Sequence, residues 1–426
     1  MELVTLGLFC LVILISVIFN FSLPYALLVG LLIFCLYAGY KGFSLKALGT
    51  MIMEGVLAAK NIMIVFMLIG MLTALWRASG TIAVIICYAV QAVQPSVVVL
   101  MAFLLNCLIS LLTGTSFGTA ATMGVIAMTL GKAMGADPTM LGGAILAGAF
   151  FGDRCSPVST SALLISELTH TNIFDNIKLM FKQAWVPFFL SCGLYALSSF
   201  FTGGSGETMA LEATFGKELI LHWSALIPAV LIFALSLCRI NVKLAMSASI
   251  IAAAILCAAL QQHSWTEILT ICLQGFQAKD SEVGALLNGG GITSMLKVTA
   301  IIAISSSYAG IFKATGLLNN LQSLLKQMSQ KITPFGTIIT ASIFTSAISC
   351  NQTLASMLTY QLCHELEPDE TTLALSLENS VITIAALIPW SIACAVPLSA
   401  VNAPTSSIFF AFFLYLLPIY TFFKKL

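Results

Sequence analysis

Two carboxylates stand where an apolar chain can least accommodate a charge. Asp153 lies in Gly152-Asp-Arg-Cys-Ser-Pro157, inside a largely apolar stretch at 139–168. Glu378 lies in Leu377-Glu-Asn-Ser380, inside a comparable stretch at 371–400. An ionised side chain at the centre of a bilayer costs roughly 2.5–3.5 kcal/mol even on lenient insertion scales. Acids kept there are candidates for binding cations or exchanging protons. Both stretches carry a proline, Pro157 and Pro389, which removes a backbone donor and breaks the helix. A broken helix exposes carbonyl oxygens, and hydroxyls and amides stand beside them. Ser156, Ser159, Thr160 and Ser161 follow Asp153, and Asn379 and Ser380 follow Glu378. Carbonyls, hydroxyls and one carboxylate are the hard oxygen ligands that sodium takes, and the N-terminus of a half-helix favours an anion. Arg154, next to Asp153, leaves open a structural ion pair instead.

Two further stretches, 96–134 and 335–363, are long, apolar and interrupted in the middle. One interruption is Thr113-Gly-Thr-Ser-Phe-Gly118; the other is Thr345-Ser-Ala-Ile-Ser-Cys-Asn-Gln352. Each half is short for a span, so both read as re-entrant hairpins with polar tips. Such backbone is tolerated at membrane depth only under a cover of protein or water. The tips bring Thr115, Ser116 and Thr119, and Ser349 and Asn351, toward the two acids. The expected cation-binding set is therefore Thr115, Ser116, Thr119, Asp153, Ser156, Ser159, Thr160, Ser349, Asn351, Glu378 and Asn379. Asp153, Thr115 and Ser116 are the expected sodium ligands.

The elements that must position these residues are membrane helices. Of the 426 residues 59% are hydrophobic and 8% charged, with mean hydropathy +1.03. A soluble domain carries roughly 25% charged residues, whereas a helical span needs about 20 mostly apolar ones. Spans are expected at 4–19, 22–40, 59–77, 139–168, 184–201, 220–238, 243–261, 292–311, 371–400 and 404–422. The segments 80–93 and 316–330 read as interfacial connecting arms. The net charge of +1 comes with no basic run, so no nucleic-acid partner is expected. The twelve cysteines form no CxxC pair or zinc spacing and read as small apolar residues. No HExxH or Ser–His arrangement points to an enzyme, and no cofactor is expected beyond sodium and protons as transported or coupling ions.

The two halves resemble each other. A step of 232 positions pairs Phe103 with Phe335, Ser110 with Ser342, Thr113 with Thr345, Asp137 with Asp369 and Pro157 with Pro389. A step of 236 pairs Trp76-Arg-Ala-Ser-Gly80 with Phe312-Lys-Ala-Thr-Gly316. Five spans separate matching points, which turns the second half upside down, as in many secondary transporters. The expected fold is all-α and membrane-integral: about ten spans, two re-entrant hairpins and two broken helices, in two inverted repeats. The first repeat is 1–201, with hairpin 96–134 and broken helix 139–168. An inter-repeat loop is 202–219, and the second repeat is 220–426, with hairpin 335–363 and broken helix 371–400. Lysines and arginines gather on the side holding the N-terminus, so both termini are expected in the cytoplasm, with the protein in the plasma or inner membrane.

The segments Gly114-Thr-Ser-Phe-Gly-Thr119, Gly142-Gly-Ala-Ile-Leu-Ala-Gly148, Phe151-Gly-Asp-Arg-Cys-Ser-Pro157, Leu287-Asn-Gly-Gly-Gly-Ile-Thr-Ser-Met295 and Leu377-Glu-Asn-Ser380 with Ile388-Pro-Trp390 resemble the NhaC family of sodium/proton antiporters. They run in order along nearly the whole chain. The resemblance implies sodium-coupled exchange, with Asp153 as the leading carboxylate and an elevator-like moving domain. The second tip, Ser349-Cys-Asn-Gln352, departs from the GTS-like sequence that family members often repeat there. Some similar proteins exchange organic anions such as malate and lactate, and others are suspected amino-acid carriers. The expected function is sodium/proton antiport by alternating access. The alternative is a sodium-coupled carrier of a small organic acid or amino acid. Expected partners are the lipid bilayer and small ions or a small organic anion, and the reading admits a homodimer.

Overall fold

A computed structural model describes residues 2–19, 23–92, 94–201, 211–238, 240–317, 332–367 and 369–425. The described residues form helices and connecting turns, with one isolated antiparallel bridge between Phe276 and Gly289. In the first half the helices are α1 (Glu2–Ile18), α2 (Leu23–Tyr40), α3 (Leu45–Ala58), α4 (Lys60–Ala78), α5 (Thr81–Ala92) and α6 (Val98–Thr113). They continue with α7 (Ser116–Thr119), α8 (Val125–Ala133), α9 (Pro138–Cys155), α10 (Thr160–Leu168) and α11 (Ile173–Phe201). After α12 (Leu211–Gly216) come α13 (Ile227–Leu237), α14 (Val242–Ala259), α15 (Trp265–Gln274), α16 (Ser281–Leu287) and α17 (Ile292–Thr315). The last six are α18 (Pro334–Ser349), α19 (Gln352–Cys363), α20 (Glu370–Glu378), α21 (Val381–Ala385), α22 (Ile392–Ala400) and α23 (Phe412–Lys425).

The outer helices show which solvent the fold is made for. Leu28, Leu32 and Leu36 of α2, Val4, Leu8, Leu11 and Ile15 of α1, and Leu244, Ile251 and Ile255 of α14 are all exposed. Large apolar stripes at helical spacing do not face water in a soluble monomer; here they match lipid. Helical residues 95–113 and 292–312 are each long and apolar enough to cross a membrane, and Met63–Ala78 with Thr81–Ala89 pass together across a 66° bend. The chain is a multi-pass membrane protein. Shorter apolar helices accompany them, among them Pro24–Tyr40, Lys243–Ala259, Pro334–Ser349 and Phe412–Lys424.

Helix ends and caps recur along the chain at nearly constant steps. Helices α6 and α18 each have 16 residues and start 236 positions apart. Each ends on a left-handed residue, Gly114 (φ +64°) and Cys350 (φ +55°). The next residue, Thr115 or Asn351, then caps the following helix with its side chain. Glycine takes the left-handed cap without strain; Cys350 accepts it without that freedom. Further on the step is 232. Asp137 and Asp369 cap α9 and α20, and Ser159 and Ser391 cap the nine-residue helices α10 and α22. The shorter second arm α19 accounts for the change of step. The sequence matches of Ser110 with Ser342 and Thr113 with Thr345 are thus one helical turn out of place. A slip of four residues keeps a helix face unchanged, which is why it goes unnoticed in sequence.

The halves also meet symmetrically. A Cβ at Gly55 would lie 2.3 Å from the Ser306 carbonyl oxygen, and one at Gly70 would lie 2.6 Å from that of Gly291. A step of 236 carries Gly55 to Gly291 and Gly70 to Ser306, so the contact maps onto itself.

Several expectations need correction. The 80–93 arm packs partly into the protein: Ile82, Ala83, Val84 and Ile86 of α5 are buried and Tyr88 is exposed. Its counterpart at 316–330 falls almost wholly outside the described residues, as does 202–210 of the inter-repeat loop. Helices α3 and α15 were not expected, although Ser44 caps the first and Ser264 with Glu267 forms a capping box on the second. Helix α11 starts eleven residues before the expected 184, because Asp175, Lys178 and Lys182 obscure its apolar pattern.

Candidate cation site

Asp153 is 4% exposed, near the C-terminal end of α9. The helix stops at Cys155, and Ser159 opens α10 by accepting the N–H groups of Ser161 and Ala162. The same Ser159 hydroxyl turns back to the Asp153 carbonyl oxygen and stands 3.4 Å from its carboxylate. The Ser161 hydroxyl donates to Asp153 Oδ2 at 3.0 Å. The break therefore folds the chain around the carboxylate.

The tips close the site from both halves. Gly114 lies against Val158 and Ser159, where a Cβ would sit 2.7 Å from the Ser159 nitrogen. The Ser116 amide also reaches the Asp153 carboxylate. From the second half Gln352 Nε2 donates to Asp153 Oδ2 at 3.2 Å. The second tip is fixed in turn: Ile392 N–H donates to the Cys350 carbonyl at 2.8 Å and Trp390 Nε1 to that of Ala347 at 2.8 Å.

Glu378 is fully buried, and neither carboxyl oxygen has a hydrogen-bond partner among the described residues. It lies within electrostatic reach of Arg154 and Asp153. Arg154, also fully buried, does not pair with its neighbour. Its Nη2 donates to Asn379 Oδ1, and its Nη1 donates to Cys155 Sγ at 3.0 Å. Asn379 Nδ2 passes the link on to Gln183 Oε1 of α11 at 2.6 Å. One connected polar chain thus ties the two breaks together.

The expected residues divide accordingly. Asp153, Ser159 and Ser116 meet at one point. Thr115 caps its own helix through the Gly118 N–H, and Thr119 bonds the Thr115 carbonyl at 2.8 Å and the Thr113 hydroxyl at 3.2 Å. Ser156 turns to the Val158 N–H. Thr160 is exposed, and Ser161 supplies the hydroxyl in its place. Asn351 spends its amide oxygen on the Thr353 and Leu354 N–H groups, and the Ser349 hydroxyl donates to the Asn351 carbonyl. Gln352 is the residue of that tip which reaches the acid. Gln183 carried no signal in sequence.

A family model described as the Na+/H+ antiporter family matches residues 2–169 and 148–423. The chain belongs to the Na+/H+ antiporter family. It is therefore a secondary active transporter of ions or small solutes across a lipid bilayer. Similar curated proteins agree on antiport and differ in cargo. The malate-2H(+)/Na(+)-lactate antiporter of Bacillus subtilis is 26% identical over 406 residues, covering 91% of this chain and 86% of the relative. The Na(+)/H(+) antiporter NhaC of Alkalihalophilus pseudofirmus is 25% identical, covering 93% and 88%. The arginine/ornithine antiporter ArcD of Halobacterium salinarum is 26% identical, covering 80% and 73%.

Proposed function

We propose that this family member exchanges sodium for protons at Asp153 by alternating access. The observation that carries the reading is the Asp153 carboxylate itself. It is buried at a helix break and contacted by Ser159 and Ser161 of its own half and by Gln352 of the other. A proton and a sodium ion compete for the same oxygens, with the Ser161 hydroxyl on the carboxylate able to turn a lone pair toward the ion. Glu378 is the second titrating group. The halves form inverted repeats of about ten spans, with re-entrant hairpins α6–α8 and α18–α19; the symmetric Gly55 and Gly70 contacts support this. Hairpins and broken helices move together as the transport body. The protein works in the plasma or inner membrane with both termini in the cytoplasm, which the lysine distribution supports, and a homodimer suits such an arrangement. The names of the relatives support a second reading, sodium-coupled exchange of a small organic acid or amino acid.

The test uses proteoliposomes with an internal pH dye and an imposed pH gradient. External sodium is expected to dissipate the gradient, and Asp153→Asn to abolish the response. If sodium moves no protons through the wild type, simple antiport is refuted. Malate, lactate and amino acids would then be added in turn to test the second reading.

A further inference from the structure

The stretch Asn288-Gly-Gly-Gly291 takes no part in the Asp153 site, yet its backbone is unusual. Gly289, Gly290 and Gly291 have φ of +127°, +78° and +83°, a run that only glycine adopts without strain. The loop is pinned on both sides. Gly289 pairs with Phe276 in the isolated bridge, and the Gly291 N–H donates to the Gly70 carbonyl at 2.8 Å. A Cβ at Gly290 would stand 2.6 Å from the Ala74 nitrogen, so the loop lies directly on α4. One turn further along α4 is Arg77. A Cβ at Gly289 would stand 3.7 Å from Arg77 Nη1. The bare backbone therefore leaves open the space beside the guanidinium.

Arg77 is 7% exposed and makes no hydrogen bond or ion pair among the described residues. A buried guanidinium has lost its hydration, and without a partner nothing offsets that loss. Lys132, at the end of α8, is close enough for the two charges to repel. It is half-buried and likewise makes no hydrogen bond or ion pair among the described residues. The Gly290 N–H also donates to nothing among them. The step of 236 that carries Arg77 to Lys313 carries Gly290 back to Glu54. Arg77 thus meets a glycine of the other half at the position whose repeat counterpart is an acid.

We propose that Arg77, Lys132 and the Asn288–Gly291 loop form a binding site for the carboxylate of a small organic anion. The planar guanidinium offers a two-pronged donor face that matches a carboxylate. The ammonium adds a second positive charge, and the Gly290 N–H can complete the shell. Arg77 belongs to α4 and Lys132 to the second arm of the first hairpin, so one anion would tie the two together. The site shares no residue with the Asp153 site, and its occupation does not depend on sodium/proton exchange.

The purified full-length protein in detergent would be melted with malate, lactate and succinate in turn, at fixed pH and sodium, and separately with added phosphatidylglycerol. At least one carboxylate is expected to raise the melting temperature saturably. Arg77→Gln is expected to weaken its apparent affinity by at least about tenfold. Lys132→Gln should weaken it less, and Arg77→Lys should retain part. If Arg77→Gln fails to fold, Lys132→Gln alone decides. The proposal is overturned if no carboxylate stabilises the wild type, or if the folded variants bind it unchanged. Stabilisation by phosphatidylglycerol alone would make this a lipid headgroup site and equally overturn the proposal. Sodium-dependent stabilisation, measured on the same samples, reports on Asp153 separately.

Discussion

Gly152→Ala is expected to deprive the protein of its folded state or leave it severely destabilised. A Cβ at position 152 would lie 2.1 Å from the Ser110 carbonyl carbon and 2.2 Å from the Leu111 nitrogen. Both are backbone atoms, so no rotamer change relieves the overlap. Helices α6 and α9 would have to separate along a seam that Gly148 also keeps close, with 2.6 Å to the Phe103 carbonyl oxygen. In an open helix the same change adds about 0.5–1 kcal/mol of stability. Overpacking typically costs about 1–3 kcal/mol and sometimes more, and here the overlap is with backbone. Gly193→Ala in α11 is the control, since nothing lies within 4 Å of its Cβ position. Thermal melting in detergent should show a large loss for the first and no loss for the second. Equal melting temperatures would contradict so close a seam.

What the sequence makes legible here is what local chemistry determines. The aspartate caps at 137 and 369, the serine caps at 159 and 391 and the left-handed turn at Gly114 each follow from a residue and its near neighbours. The exposed apolar stripes follow from composition. Helix α15 announced itself by a capping box, but its exposed, amphipathic character hid it from a search for apolar spans. The partners of the acids were another matter. Arg154 turns from Asp153 to Asn379, 225 positions away, and Asn379 to Gln183, 196 away. No local pattern encodes such pairings. The choice between Asn351 and Gln352 also depends on structure. The residue at the N-cap has its side chain drawn to its own backbone, which frees the next amide to reach across.

The buried charges near Asp153 lead to the sharpest functional prediction. With both acids ionised, Asp153, Glu378 and Arg154 sum to one negative charge, and one sodium ion or one proton neutralises it. A buried site changes sides most easily when neutral, because each uncompensated charge carries a large desolvation penalty. Glu378→Gln leaves a site already neutral before the ion arrives. Its sodium affinity is expected to fall roughly ten- to a hundredfold. Arg154→Gln leaves two negative charges, so one sodium no longer completes the balance. Exchange is expected to slow by at least about tenfold, alongside a marked loss of stability from the stranded acids. The double variant Arg154→Gln with Glu378→Gln restores the original sum and should recover part of both losses, a coupling that independent sites would not show. Sodium-dependent melting in detergent and sodium-driven proton flux in liposomes measure the two quantities. If Glu378→Gln changes neither, Glu378 stays protonated throughout the cycle and the charge balance is set by Asp153 and Arg154 alone. If the double variant is as impaired as the sum of the two single ones, the arginine acts through its bond to Asn379, and its charge is incidental.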